Sequence, residues 1–191
     1  MTLKGHVLPW IAYPGTMVAS FTIYALLDAQ SVPVMVSAYI AVVFCAAAVT
    51  LLEFVIPYDR TWQPDRGDVK SDLLFMVTVQ MALPPLLGLL VADSLVRYLA
   101  AREWPITLWP EQLPLAVQVA LMLLIAEFFR YWLHIAAHNI KLLWRFHAVH
   151  HSPHKLYWLN VGRFHPLEKA VQYMLDMLPF ILVGVTQPVI A

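Results

Sequence analysis

The stretch from Glu127 to Glu168 reads EFFRYWLHIAAHNIKLLWRFHAVHHSPHKLYWLNVGRFHPLE and holds seven of the eight histidines of the chain. These histidines stand among apolar and aromatic residues, in a chain that is 61% hydrophobic. A dense cluster of imidazoles needs a physical reason in such surroundings, because polar groups withdrawn from water require partners. Imidazole is also the commonest protein ligand of metals. The stretch therefore predicts a metal-binding segment.

The composition around this segment is that of an integral membrane protein. The mean hydropathy is +0.68, and 13% of the residues are charged, against about 25% in soluble proteins. Twelve basic residues balance twelve acidic ones, so nothing indicates a nucleic-acid partner. The single cysteine, Cys45, excludes an internal disulfide.

Four apolar runs are long enough to cross the roughly 30 Å of membrane hydrocarbon as helices. They cover residues 10–27, 34–56, 73–92 and 113–133. Pro84, Pro85 and Gly88 interrupt the third run, and we expect them to kink the helix or to divide it. A last apolar run covers residues 171–191. The predicted fold class is all-α, a polytopic transmembrane helical bundle.

The basic residues predict the orientation of this bundle. With the N-terminus inside and four crossings, Arg97 and Arg102 lie outside, and nine basic residues lie on the cytoplasmic side. The nine are Lys4, Arg60, Arg66, Lys70, Lys141, Arg145, Lys155, Arg163 and Lys169. We therefore expect residues 1–126 to form transmembrane helices and loops. We expect residues 127–191 to comprise the histidine-rich helical region and the last apolar run. The histidine-rich region is expected to lie on the cytoplasmic face.

The histidine spacings predict that the rings converge. His134 and His138 are four residues apart and share one face of a helix. His147, His150 and His151 are three and four apart, and His154 continues the series. Residues 139–146, which separate the two groups, contain no Gly or Pro, so the sequence allows either a bend or a continuous helix. This number of imidazoles exceeds the needs of one tetrahedral zinc and favours a two-metal centre.

Three motifs together resemble the region of the first two histidine boxes of the fatty acid hydroxylase and sterol desaturase superfamily. They are HIAAH (134–138), WRFHAVHHS (144–152) and RFHPLE (163–168). The resemblance implies an oxidoreductase of lipid biosynthesis that uses O2 and two non-haem irons to hydroxylate or desaturate a fatty acyl or sterol-like lipid. It implies that the iron ligands are His134, His138, His147, His150, His151 and His165.

Further expectations concern the surroundings of the metal. Glu127 lies near the end of the fourth span, and we expect its carboxylate to accept a ring N–H from a ligand histidine. Asn139, Asn160 and Glu168 rank below it for this role. We expect no catalytic residue beyond the metal ligands, because no nucleophile–base arrangement is present. An external partner must supply electrons, because no Gly-rich nucleotide-binding turn is present.

The sequence leaves other readings open. Members of the superfamily carry a further HxxHH box, whereas no histidine follows His165 here, so either the chain is a fragment or the site is incomplete. Because the sequence stops within an apolar run, we expect a fragment. One alternative is a b-type haem protein of electron transfer, with two axial histidines. Another is a non-catalytic membrane protein whose site is vestigial or binds structural zinc.

Overall fold

The computed structural model describes residues 3–103, 108–186 and 189. These parts of the chain form helices joined by turns, and four helical segments are long and apolar enough to cross a membrane. The four segments are Trp10–Ala29, Val34–Val55, Arg66–Ala101 and Leu115–Asn139. The prediction of an all-α polytopic membrane protein is thereby confirmed. In the last apolar run, residues 187, 188, 190 and 191 lie outside the described residues.

The first of two compact units comprises Met1–Asp65 and His154–Trp158. Helices α1 (Leu3–Ala29) and α2 (Val34–Val55) pack against each other as a hairpin. The later segment is attached to α2 through Trp158. The Trp158 backbone N–H donates to the Glu53 carboxylate at 2.7 Å, and its indole N–H donates to the Thr50 hydroxyl at 2.7 Å.

The second unit comprises Arg66–Pro153 and Leu159–Ala191 and begins with the third span. This span contains α3 (Arg66–Phe75), α4 (Leu83–Leu87) and α5 (Asp93–Ala101), joined by π-helical turns at Met76–Ala82 and Gly88–Ala92. We expected Pro84, Pro85 and Gly88 to kink this helix or to divide it, and the helix is not divided. Pro84 and Pro85 stand in the first turn of α4, after a π-helical segment. Proline has no backbone N–H to donate. Both a wider π-helical turn and the first turn of a helix tolerate this missing donor.

The remaining helices of this unit are α6 (Leu115–Asn139), α7 (Lys141–His147) and α8 (Pro166–Val183). Helix α8 packs against α4 and α6. Arg130 on α6 forms a bidentate ion pair with Asp176 on α8, with Nε 2.8 Å from Oδ1. Near the other end of α8, the rings of Trp109 and the buried Phe180 meet edge to face at 6.1 Å. These contacts hold α8 against the helix that carries the first two histidines of the stretch.

The segment between α7 and α8 is fastened to the third span. Arg163 forms a buried ion pair with Asp72 of α3, and its Nε donates to Oδ1 at 2.6 Å. The Gln80 amide donates to the carbonyl of Gly162 at 3.0 Å. A Cβ at Gly162 would lie 2.9 Å from the Met76 side chain, so the close approach requires glycine there unless Met76 moves. The backbone that carries Phe164 and His165 is thus fixed to α3 and the π-helical turn after it.

Candidate metal centre

The first two histidines extend from the same face of α6. The rings of His134 and His138 lie 4.7 Å apart between centroids, as the spacing of four predicts. The helix ends at Ile140, whose backbone is extended (φ −104°, ψ 115°), and α7 begins one residue later. This change of direction brings His147 back to the pair, with ring centroids 4.7 Å from His134 and 4.8 Å from His138. One nitrogen from each of the three rings lies within 4.8 Å of the others.

A tight turn after α7 adds two more rings. The backbone N–H of His150 donates to the His147 carbonyl at 2.9 Å, and that of His151 at 3.4 Å. The Nε2 atoms of His151 and His147 lie 3.1 Å apart, and the His151 ring also contacts His138 at 4.9 Å. The His150 ring lies 5.3 Å from that of His151 and stacks on Phe164, with centroids 4.4 Å apart and planes inclined by 11°.

Glu168 orients the central ring. Its Oε1 lies 2.7 Å from Nδ1 of His147, and both side chains are buried. A carboxylate only accepts hydrogen bonds, so the Nδ1 of His147 carries the proton. In the neutral ring, the lone pair is then on Nε2, the nitrogen that faces His151. A carboxylate partner of this kind fixes the tautomer of a metal-binding histidine and increases its basicity.

The electrostatics of the turn favour neutral imidazoles. Burial, and then the charges of His147 and His151, lower the pKa of His150, while a hydrogen bond to the Arg163 backbone raises it less. Burial, and then the charges of His147 and His138, lower the pKa of His151. Metal binding requires unprotonated imidazole nitrogens. The turn therefore presents His150 and His151 in the form that binds a metal at neutral pH.

Two aromatic side chains enclose the histidines, and the sequence did not indicate either of them. Trp144 lies against His138 at 5.4 Å and against His151 at 5.5 Å, and Phe164 covers His150. Trp144 stands three residues before His147 and seven before His151, a helical spacing that places the three side chains on one face. Trp144 is itself exposed, so the side chain that is covered is His150, beneath Phe164.

The structure brings together five of the six predicted ligands. They are His134, His138, His147, His150 and His151. The sixth, His165, lies against Phe146 at 4.9 Å, and its Nδ1 accepts the Leu167 N–H at the start of α8. Its role as a ligand stays a prediction. Glu127 lies 3.8 Å from Arg130, and the partner of the His147 ring N–H is Glu168, which we had ranked lower.

Two cavities adjoin the cluster. An apolar cavity of about 360 Å³ is lined by Leu133, Ala137, Leu143, Phe146, Leu167, Glu168, Ala170, Val171 and Met174. A polar cleft of about 320 Å³ is lined by Glu127, Arg130, Tyr131, Leu133, His134, Phe164, Glu168 and Gln172. Leu133 and Glu168 line both cavities, so the two spaces are adjacent.

The cluster fits a transition metal held by imidazoles. Two nitrogens on one ion lie at most about 4.2 Å apart, twice the usual metal–nitrogen distance, and the observed limit of 4.8 Å is close to this value. The Nδ1 of His150 and the Oε2 of Glu168 are buried without a hydrogen-bond partner in the described structure. Buried polar atoms of this kind call for an explanation such as an ion. An all-imidazole set with nearby carboxylates suits iron, zinc or copper.

Fold and site together define an integral membrane protein with a histidine cluster at one end of a membrane helix. Residues 119–191 match the fatty acid hydroxylase family. The chain is also 38% identical over 152 residues to an ornithine lipid hydroxylase, OlsE, from Rhizobium tropici. Both matches confirm the resemblance to the fatty acid hydroxylase superfamily that the histidine motifs carry. The aligned region covers 75% of this chain and 44% of that relative, so the chain spans less than half of its length. No solved structure matched the chain.

Proposed function

We propose that this chain is a membrane-bound, iron-dependent oxidoreductase that hydroxylates a lipid with O2. In the overall reaction a C–H bond of the lipid becomes C–OH, and the second oxygen atom leaves as water. Two electrons from an external donor and two protons complete the balance. The observation that supports this proposal best is the convergence of three ring nitrogens within 4.8 Å, beside the buried hydrogen bond between His147 and Glu168.

The residues of the chain have distinct tasks in this proposal. His134, His138, His147, His150 and His151 hold two irons, with His165 as a further ligand. Bound iron supplies the activation of O2 that an unactivated C–H bond requires. Glu168 holds the His147 ring in one tautomer, while Trp144 packs against His138 and His151 and Phe164 packs against His150. The apolar cavity receives a hydrocarbon chain, because eight of its nine lining residues are apolar.

The lipid substrate comes from the membrane, and the position of the protein in the membrane determines which side the histidine cluster faces. We propose that the histidine cluster faces the cytoplasm, as the distribution of basic residues predicts. An electron donor can then reach it from the aqueous side, and the lipid enters laterally. The relative is named as an ornithine lipid hydroxylase, and an ornithine lipid is therefore the first substrate to test.

The test is iron content and product formation by the protein in detergent or nanodiscs. We expect two irons per chain and, with isotopically labelled O2, a lipid product that contains one labelled oxygen atom. The His138→Ala variant should lose iron and product. His138 is the best position for this test because its side chain is exposed and its ring contacts the rings of three other histidines. Its replacement should therefore affect the site more than the fold.

The matched control is His154→Ala, which removes an exposed histidine outside the cluster and should leave iron content and product unchanged. Normal iron content in the His138→Ala variant would contradict the ligand assignment. An intense Soret band without non-haem iron would favour the haem alternative. One zinc per chain, with no O2 consumed on any lipid, would favour a structural site.

A further inference from the structure

Two ionised groups of the polar cleft differ in how completely they are paired. Arg130 is held by Asp176 through Nε at 2.8 and 3.1 Å from the two carboxylate oxygens, and through a second contact from Nη2. Glu127 has a side chain that is 71% exposed, and its carboxylate lies 3.8 Å from Nη1 of Arg130. This distance exceeds that of a hydrogen bond. Glu127 therefore retains most of its capacity to bind a cation.

The polar cleft holds charged groups of both signs. Its surroundings include the carboxylates of Glu127, Glu168 and Asp176 and the cations Arg130 and Lys169. Lys169 is half-buried, with its Nζ 6.0 Å from the centre of the Phe164 ring. Ionisable groups inside membrane helices are costly and tend to mark binding or transport sites. Glu168 is paired with His147 and Asp176 with Arg130. A cationic ligand in the cleft would therefore bind beside Glu127, whose carboxylate is exposed and only partly paired.

The adjacent apolar cavity indicates that a ligand of the cleft also has an apolar part. It shares Leu133 and Glu168 with the polar cleft. One space is apolar and the other is polar, and they meet at two side chains next to the histidine cluster. This division suits an amphiphile, with a hydrocarbon chain in the first space and a charged headgroup in the second.

We propose that the polar cleft binds the ammonium group of an amine-bearing lipid headgroup, and that Glu127 is the residue that selects it. This inference rests on the proposed function, because the bound lipid is the substrate of the hydroxylation. Glu127 acts through binding and takes no part in the oxidation itself. The cleft lies on the His134 side of the cluster, so the headgroup is placed close to the reacting centre.

The experiment compares two lipids that differ only in the charge of the headgroup. One is an acylated amino-acid lipid with a free amine, and the other is its N-acetylated form with the same chains. Binding is measured in nanodiscs by competition with a fluorescent lipid. We expect the wild-type protein to bind the free amine about fivefold more tightly, the size of a partly exposed ion pair. Glu127→Gln should remove this preference by weakening the binding of the free amine alone.

Two further variants make the result specific. Glu127→Asp keeps the charge and should keep most of the preference. Glu111→Gln removes an exposed carboxylate outside the cleft and should leave the preference unchanged. Equal binding of the two lipids by the wild-type protein would overturn the proposal, and so would a preference that survives in Glu127→Gln.

The two proposals fail in different ways. Binding is measured without turnover, so a protein that prefers the free amine but forms no hydroxylated product would refute the enzymatic function and retain the headgroup site. Hydroxylation of both lipids with the same KM would refute the headgroup site and retain the function.

Discussion

Replacing Glu168 with leucine tests how far metal binding depends on the orientation of His147. The substitution places an apolar side chain of similar size at a buried position and removes the acceptor of the His147 N–H. The His147 and Glu168 side chains are 1% and 7% exposed, so water cannot take the place of the carboxylate. The His147 ring is then free to rotate or to change tautomer.

The magnitude follows from the burial of the pair. A buried donor that loses its partner costs about 1–3 kcal/mol, and about 1.4 kcal/mol corresponds to a tenfold change in an equilibrium constant. Carboxylate partners of metal-binding histidines typically contribute 10- to 100-fold in affinity. We therefore expect the Glu168→Leu variant to bind iron about 10- to 100-fold more weakly. Glu168→Gln retains an acceptor without the charge and should lose less.

The assay is an anaerobic titration of Fe2+ against a competing chelator, with the protein in detergent. Glu111→Leu serves as the matched control, because Glu111 is exposed and does not line the cavities beside the histidines. Gel filtration and circular dichroism establish that each variant is folded. A folded Glu168→Leu protein with the iron affinity of the wild type would refute the reasoning, since it would show that the His147–Glu168 contact has no part in metal binding.

Three other predictions concern the scaffold and the cavity. Arg163→Leu leaves the buried carboxylate of Asp72 without its ion pair and should lower stability by about 3–5 kcal/mol; a thermal midpoint in detergent equal to that of the wild type would contradict this. Ala170→Phe places a large ring in the apolar cavity and should shift the products toward lipids with shorter chains, which mass spectrometry of mixed substrates would show; an unchanged chain-length profile would argue against this cavity as the chain site. Gly184→Ala places a Cβ at φ 78° and should cost about 1–2 kcal/mol, measured as a lower thermal midpoint; no shift would mean that the end of α8 adapts.

The membrane helices could be predicted from the sequence because hydrocarbon requires long apolar runs with internally bonded backbones. Their ends could not be predicted as well. Helix α6 continues to Asn139, six residues beyond the apolar run, because backbone hydrogen bonding does not stop where the side chains become polar. The break at Ile140 carries no Gly or Pro signal. Its position depends on the packing of α7 against α8, which a local pattern does not report.

In the candidate site too, contacts between residues that are close in sequence could be predicted, whereas contacts between distant residues could not. The spacing of His134 and His138, and that of His147 and His151, predicted which rings meet, because each pair lies within one or two turns. Glu168 could not be distinguished from Glu127 or Asn160 in this way. It stands 21 residues after His147, and the start of α8 brings it to the ring. The kink or division expected at Pro84 and Pro85 also depended on context, since the helix continues there through π-helical turns.

The ion pair between Arg130 and Asp176 bears on how the chain enters the membrane during synthesis. A charged side chain at the centre of an isolated membrane helix costs about 2.5–3.5 kcal/mol on insertion, and the cost is smaller for Arg130, which lies near the end of the fourth span. Arg130 emerges from the ribosome 46 residues before Asp176, so α6 is made before the carboxylate that pairs fully with Arg130 exists, and Glu127 of α6, 3.8 Å away, is only a partial counter-charge. We expect α6 to settle stably in the bilayer only when α8 arrives. Biogenesis of the histidine-bearing half is then cooperative, and Asp176→Asn should delay the insertion of α6 as mapped by cysteine accessibility.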